Sequence, residues 1–188
     1  IAWSASPWDV PSVEFLLQYD IPYIKIPSAM NNNEELIKVS CQSGKPIILS
    51  TGMDTLEEMD QAVEWLEKYG KGDYIICHTN SSYPSPNNEL NLRLIKTMKE
   101  RYNCLVGYSG HEEDLEPSVI ASVLGACVIE RHVTLNHNMW GSDQKASLEV
   151  HAMSMLKKRI ESSLETLGDG KKILLESELK KRKSLRGD

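Results

Sequence analysis

Residues 46–78 read PIILSTGMDTLEEMDQAVEWLEKYGKGDYIICH, and this stretch decides the fold. It begins with a short apolar run, Pro46–Ser50, and ends with another, Tyr74–His78. Between the two runs, Asp54–Tyr69 carries apolar side chains every three or four positions, which predicts an amphipathic helix. Continuous apolar runs of this length are typical of parallel strands that are buried on both faces. The stretch therefore predicts a strand–helix–strand unit with parallel strands.

The same alternation of strand and helix continues on both sides of this unit. The candidate strands are Ile1–Ser4, Tyr23–Ile26, Pro46–Ser50, Tyr74–His78, Leu105–Tyr108 and Ala126–Arg131. The candidate helices are Asp9–Tyr19, Asn33–Gln42, Asp54–Tyr69, Asn88–Arg101, Leu115–Leu124 and Leu148–Leu167. Repeated units of this kind are typical of a (β/α)8 TIM barrel or a doubly wound sheet, and no G-x-G-x-x-G turn supports dinucleotide binding. We predict an α/β fold over residues 1–170, an incomplete TIM barrel with about six βα units.

Charge and composition exclude several classes of protein. The chain has 21 basic and 27 acidic residues, so its net charge of −6 argues against nucleic-acid binding. The longest uncharged apolar-rich run, Pro117–Ile129, is too short to span a bilayer, and we expect no membrane contact. The four cysteines form no C-x-x-C pair and fit no zinc-site spacing, which favours reduced thiols in a cytoplasmic protein.

Polar side chains follow the predicted strands, where the chemistry of parallel α/β proteins is found. They include the hydroxyls of Ser6, Ser28, Ser50, Ser81 and Ser109, together with Lys25, His78, His111, Glu130, Arg131 and His132.

Two kinds of site fit this set of residues. Several hydroxyls and a lysine at one mouth suit a phosphate or a carboxylate, and two histidines from neighbouring strands suit a divalent metal. Lys25 lies inside an apolar strand, where an unpaired charge is costly, and this favours a functional role. The alternatives are that the serines are turn residues and that the histidines are structural.

The order of the motifs resembles one known family. The motifs are Lys45–Met53 (KPIILSTGM), 81–84 (SSYP), 91–93 (NLR), 107–112 (GYSGHE), 130–132 (ERH), 141–143 (GSD) and 146–149 (ASLE). Together they resemble the N-acetylneuraminate (sialic acid) synthase family, from about Trp3 to Leu185. That resemblance implies a (β/α)8 barrel followed by a small antifreeze-like domain. This chain would then supply barrel strands three to eight, and residues 171–188 would be a linker toward the C-terminal domain.

The resemblance also implies a reaction. The family condenses phosphoenolpyruvate with an N-acetylhexosamine, typically N-acetylmannosamine, and releases phosphate. It requires a divalent metal, for which we expect Mn²⁺, with Mg²⁺ or Co²⁺ as substitutes. Its members are homodimers when complete, and we expect a chain without the first two barrel units to be inactive.

Site residues carry over motif by motif. His111 and His132 match the metal ligands. Tyr83 and Asp143 match positions near the sugar and the water on the metal. The positions that hold the phosphate and carboxylate of phosphoenolpyruvate match Ser6, Lys25, Ser28, Ser50, Ser81 and Ser109. Of these residues, Lys25 and Asp143 are the candidate catalytic groups.

Three alternatives stay open at this point. Legionaminic and pseudaminic acid synthases share most of these motifs and use other hexosamine derivatives. A barrel that condenses phosphoenolpyruvate with an aldose phosphate would need more basic residues than Lys25 and Arg131. A non-catalytic barrel segment that acts as an interaction module would show no clustering of these side chains and no metal affinity.

Overall fold

The computed structural model describes residues 1–187. Its strands are β1 (Ile24–Ile26), β2 (Ile47–Ser50), β3 (Tyr74–Thr79), β4 (Leu105–Gly110), β5 (Ile129–Arg131), β6 (Val133–Thr134) and β7 (Leu148–Glu149). Its α-helices are α1 (Val10–Leu16), α2 (Glu34–Gln42), α3 (Leu56–Tyr69), α4 (Leu94–Tyr102), α5 (Glu116–Val123), α6 (Val150–Leu167) and α7 (Glu176–Arg186).

Strands β1 to β5 form one parallel sheet in chain order, and the sheet curls into a half-barrel. Helices α2 to α5 connect successive strands, as expected for repeated βα units. The predicted α/β class and the parallel strands are therefore confirmed. The first predicted strand is wrong, because no strand is assigned to Ile1–Ser4. A side-chain hydrogen bond holds this segment next to the start of β1: the Ser4 hydroxyl donates to the Tyr23 carbonyl oxygen at 2.6 Å.

The two faces of the sheet have different environments. Alternate residues point outward and pack under the helices, where they form the hydrophobic core; they include Ile24, Ile26, Ile47, Leu49, Ile76, Val106 and Tyr108. The residues between them point to the concave face of the sheet, and Lys25, Ile48 and Ser50 are among them. Burial on both faces explains why each strand reads as a nearly continuous apolar run.

Helix boundaries follow local capping rather than apolar spacing alone. Helix α3 starts with a capping box in which Thr55 and Glu58 satisfy each other's backbone N–H groups, so the helix begins at Leu56 and not at the predicted Asp54. The predicted linker, residues 171–188, contains α7, none of whose residues is buried, while Asp188 lies outside the described residues; its role as a linker stays a prediction. Within the described part of the chain, no helix is long and apolar enough to cross a membrane.

A small second sheet brings a distant loop back to the half-barrel. Strands β6 and β7 pair in parallel, and the Leu148 N–H donates to the His132 carbonyl oxygen at 2.8 Å. The loop between these strands contains Asp143. This pairing therefore fixes both ends of the loop next to the end of β5.

Candidate active site

An open cleft of about 460 Å³ lies at the carboxyl end of the sheet. All of the side chains to which the resemblance assigned a role line this cleft: Ser6, Lys25, Ser28, Ser50, Ser81, Tyr83, Ser109, His111, His132 and Asp143. Lys25, Ser50 and Ser109 belong to strands β1, β2 and β4, and the others lie in the segment before α1 and in the connections that follow strands. The fold therefore brings the predicted residues together, while their individual roles stay predictions.

Lys25 is at the centre of a polar network on the cleft floor. Its side chain is nearly buried, and its Nζ donates to the Ser50 Oγ at 2.5 Å. The same Nζ lies 3.7 Å from the Glu130 Oε1, which accepts a hydrogen bond of 2.7 Å from the Ser109 Oγ. A cation and two hydroxyls are thus fixed in position before any ligand binds. Such a preorganised group suits an oxyanion such as a phosphate or a carboxylate.

Two more hydroxyls converge on Gly52, in the loop after β2. The Gly52 N–H donates to the Ser28 Oγ at 2.9 Å. A Cβ at this position would lie 2.1 Å from the Ser81 Oγ and 2.9 Å from the Ser28 Oγ. Glycine leaves room here for the two serine hydroxyls, which a larger residue would have to displace.

The two histidines at the cleft are held edge to face. The ring centroids of His111 and His132 are 5.1 Å apart, with 76° between their planes. The Nδ1 of His111 lies 2.6 Å from the Asn80 carbonyl oxygen. Because a carbonyl can only accept, we assign the proton to Nδ1, which leaves the Nε2 lone pair free. Burial lowers the pKa of His111, which favours the neutral form that binds metals.

Tyr83 and Asp143 complete this side of the cleft. The Tyr83 ring lies 4.1 Å from the His111 ring and 5.7 Å from the His132 ring, centroid to centroid. Burial raises the pKa of the Tyr83 phenol, with smaller contributions from Asp143 and Glu130, so the phenol stays neutral. The Asp143 Oδ2 lies 3.7 Å from the His132 Nδ1, where a carboxylate can orient the imidazole.

This donor set fits a divalent metal with open coordination positions. The two imidazoles lie edge to face, and that of His111 is held by its Nδ1 bond to the backbone, which leaves its Nε2 free. Across residues 1–187, no group of three or more His, Cys, Asp or Glu side chains is placed to hold a metal. The protein would therefore supply two ligands, and water or substrate oxygens would supply the others.

Two strand-end residues point away from the cleft. His78 is buried on the opposite face, where its Nε2 lies 2.6 Å from the Leu90 carbonyl oxygen. Arg131 is also buried, in an ion pair with Glu112. Lys25 is therefore the only Lys or Arg side chain among the residues that line the described cleft.

Glu130 was named among the polar residues that follow the strands but was given no role, and it lines the cleft. The signal that could have identified it is the alternation of side chains along a strand. Applied to Glu130, Arg131 and His132, the period of two places the first and third on one face and the arginine on the other. The structure has this arrangement.

Comparison with known proteins identifies relatives of the whole chain. It is 40% identical to the N,N′-diacetyllegionaminic acid synthase of Campylobacter jejuni, over 98% of this chain and 57% of that protein. It is 38% identical to the N-acetylneuraminate-9-phosphate synthase of Drosophila melanogaster, over 83% of this chain and 42% of that protein. The chain therefore spans about half the length of these relatives.

The fold matches a solved structure at similar identity. The N-acetylneuraminic acid synthetase from Leptospira borgpetersenii, crystallised with citrate, superposes with a TM-score of 0.88 at 33% identity. The match covers 100% of this chain and 67% of that chain. Residues 1–172 match the family described as NeuB. The chain belongs to the NeuB family, in which the relatives compared here are synthases of sialic and legionaminic acids.

Proposed function

We propose that this chain is the catalytic part of a metal-dependent nonulosonic acid synthase. The reaction is the condensation of phosphoenolpyruvate with an N-acetylhexosamine such as N-acetylmannosamine, which releases phosphate and gives a nine-carbon 2-keto acid. The observation that carries this proposal is one cleft that contains both a lysine–serine cluster and a histidine pair. The two groups match the two tasks of the reaction, holding an anion and activating an aldehyde.

Lys25 and the serine hydroxyls would bind phosphoenolpyruvate. Lys25 offsets the negative charge of the phosphate and carboxylate, and the hydroxyls of Ser28, Ser50, Ser81 and Ser109 fix its orientation. Ser6 lies at the edge of the same cleft and would complete the set. Holding the nucleophilic C3 against the aldehyde converts a bimolecular step into one between oriented partners.

The acceptor sugar would lie against the histidine pair and Tyr83. His111 and His132 would hold a divalent cation, most simply Mn²⁺ with Mg²⁺ or Co²⁺ as substitutes, and this cation would supply Lewis-acid activation of the aldehyde. Tyr83 packs against both imidazoles and offers an aromatic surface and a neutral hydroxyl to the sugar. Asp143 would hold the water that adds to C2 and accept its proton before phosphate leaves.

The complete protein is proposed to close the half-barrel into a (β/α)8 barrel. The relatives are about twice as long as this chain, which leaves room for further barrel units and a C-terminal domain. We propose a cytoplasmic homodimer for the complete protein, and we expect residues 1–188 alone to be inactive because an anion site with Lys25 as its one cation is incomplete.

A second acceptor is favoured by one comparison. The relative at 40% identity is named for a product with two N-acetyl groups. A hexosamine that carries two acetamido groups is therefore the second candidate acceptor, with the same chemistry at the aldehyde.

Mass spectrometry of the products tests the proposal. The complete gene product is incubated with phosphoenolpyruvate, Mn²⁺ and each candidate acceptor, beside His111→Ala and, as a matched control, His151→Ala. His151 is an exposed histidine of α6 outside the cleft. We expect a nine-carbon keto acid from the wild type and the control, and none from His111→Ala. Absence of such a product with every acceptor from folded, Mn²⁺-loaded protein would contradict the proposal.

A further inference from the structure

Glu112 and Arg131 form an ion pair directly behind the candidate metal-binding wall. The Arg131 Nη1 donates to the Glu112 Oε1 at 2.9 Å, and neither side chain has exposed surface. Glu112 follows His111 in the sequence, and Arg131 precedes His132. The pair therefore joins the ends of β4 and β5 next to both histidines.

The Glu112 carboxylate is anchored to two elements besides Arg131. The Tyr108 hydroxyl donates to the Oε2 at 2.8 Å, and the Ser118 hydroxyl donates to the Oε1 at 2.9 Å. Tyr108 belongs to β4 and Ser118 to α5, and both are buried. The carboxylate thus occupies a fixed position under the loop that presents His111.

Arg131 also binds three backbone carbonyl oxygens. It donates to the carbonyls of Glu112, of Asp114 at 3.0 Å and of Ala146 at 3.5 Å. Ala146 lies in the loop between β6 and β7, three residues after Asp143. One guanidinium therefore connects the loop after β4, the end of β5 and the loop of Asp143.

General stabilisation does not account for this arrangement. Buried ion pairs are often no more stabilising than apolar residues of similar volume, because desolvation offsets their attraction. Bonds from one side chain to the carbonyls of separate loops instead fix where those loops lie. A planar guanidinium can make several such bonds at once, whereas a lysine ammonium is a single point donor.

We propose that the Glu112–Arg131 pair is a positioning clamp that sets the relative placement of His111, His132 and Asp143. Its functional consequence rests on the proposed function, since it assumes that the histidines bind a metal. The clamp itself concerns how firmly three chain segments are held in place, and the protection of these segments can be measured without metal.

The test compares Arg131→Lys with Arg101→Lys in the complete gene product. Arg101 makes a similar two-bond pair with Asp60, at 2.7 and 2.5 Å, on the outer helices. Hydrogen exchange without metal measures protection in residues 110–115, 131–134 and 143–148. Mn²⁺ affinity is then measured from the free-ion signal in electron paramagnetic resonance. Glu112→Gln, which keeps an acceptor for Arg131, is the second variant if Arg131→Lys does not fold.

The clamp predicts that all three segments lose protection together in Arg131→Lys and keep it in Arg101→Lys. It also predicts Mn²⁺ affinity about 10- to 100-fold weaker in Arg131→Lys, the usual effect of losing support behind a metal ligand. Unchanged exchange in residues 143–148, or unchanged Mn²⁺ affinity in folded Arg131→Lys, would overturn the proposal. A wild type that binds Mn²⁺ tightly but makes no keto acid would reject the proposed function and leave the clamp to be judged on these two measurements.

Discussion

Replacing Gly52 with alanine should weaken ligand binding at this site while the protein still folds. The new Cβ would lie 2.1 Å from the Ser81 Oγ, 2.9 Å from the Ser28 Oγ and 3.2 Å from the Thr79 Cγ2. The first two atoms are small hydroxyls that can rotate about χ1, so the protein can accommodate the methyl group by turning them. Those hydroxyls would then turn away from the position proposed for phosphoenolpyruvate.

The expected magnitudes differ for stability and for binding. Overpacking costs about 1–3 kcal/mol, and we expect the lower end because two mobile hydroxyls absorb the clash. A hydrogen bond to a charged group contributes about 1.5–3 kcal/mol, and each 1.4 kcal/mol is a factor of about ten in affinity. Loss of one such bond to phosphoenolpyruvate weakens binding about 10- to 100-fold, and loss of both weakens it further.

Calorimetric titration with phosphoenolpyruvate and thermal unfolding measure the two effects on Gly52→Ala. Ser81→Ala is the matched control, because it removes one hydroxyl without adding a clash. We expect weakened binding in both variants and a lowered melting temperature in Gly52→Ala alone. Wild-type affinity in folded Gly52→Ala would refute the reasoning, because it would show that these hydroxyls do not hold the anion.

Three further predictions concern stability. Burial raises the pKa of Asp54 to about 6, so its ionisation destabilises the fold as the pH rises from about 4 through about 6. The variant Asp54→Asn keeps an acceptor for the hydrogen bond from Asn31 but carries no charge. In urea unfolding it should be more stable than wild type by about 1–2 kcal/mol at pH 8 and no more stable at pH 4. An equal gain at both pH values would contradict this prediction. Thr55→Ala removes the cap of α3 and should lower the unfolding free energy by about 0.5–2 kcal/mol. An unchanged unfolding free energy would show that other groups cap this helix. Leu66 is buried, and Leu66→Ala should lower the unfolding free energy by about 2–5 kcal/mol. Leu164 is exposed, and Leu164→Ala should lower it by no more than about 0.5 kcal/mol. Similar losses in the two variants would contradict the assigned core.

The parallel sheet could be predicted because its physical cause is local. Strands such as Ile47–Ser50 and Tyr74–Thr79 are covered on both faces and read as uninterrupted apolar runs. The segment Ile1–Ser4 has a similar composition but forms no strand. A strand needs hydrogen bonds to a neighbouring backbone, and composition does not show whether such a neighbour is in place. Helix α7 was not predicted. None of its residues is buried, so its sequence lacks the regular spacing of apolar residues that indicates an amphipathic helix.

The site was predictable in outline because parallel strands bring their carboxyl ends to one edge. The choice among neighbouring polar residues requires, in addition, the face of the strand that each one occupies, which the two-residue period indicates only once the strand itself is placed. Glu130 and His132 face the cleft, while Arg131 between them is buried under α5. The contacts of Arg131 with Glu112 and Ala146 join residues 15 to 19 positions apart, which no local pattern indicates.

Phosphate release by the complete gene product tests the central claim most directly. Release is followed with phosphoenolpyruvate and Mn²⁺, with and without the acceptor, and then with the metal removed by a chelator. We expect release that requires both the sugar and the metal and that matches the keto acid formed one for one. Release without sugar, or none with any N-acetylhexosamine from folded protein that binds Mn²⁺, would contradict the assignment of this cleft to a condensing synthase.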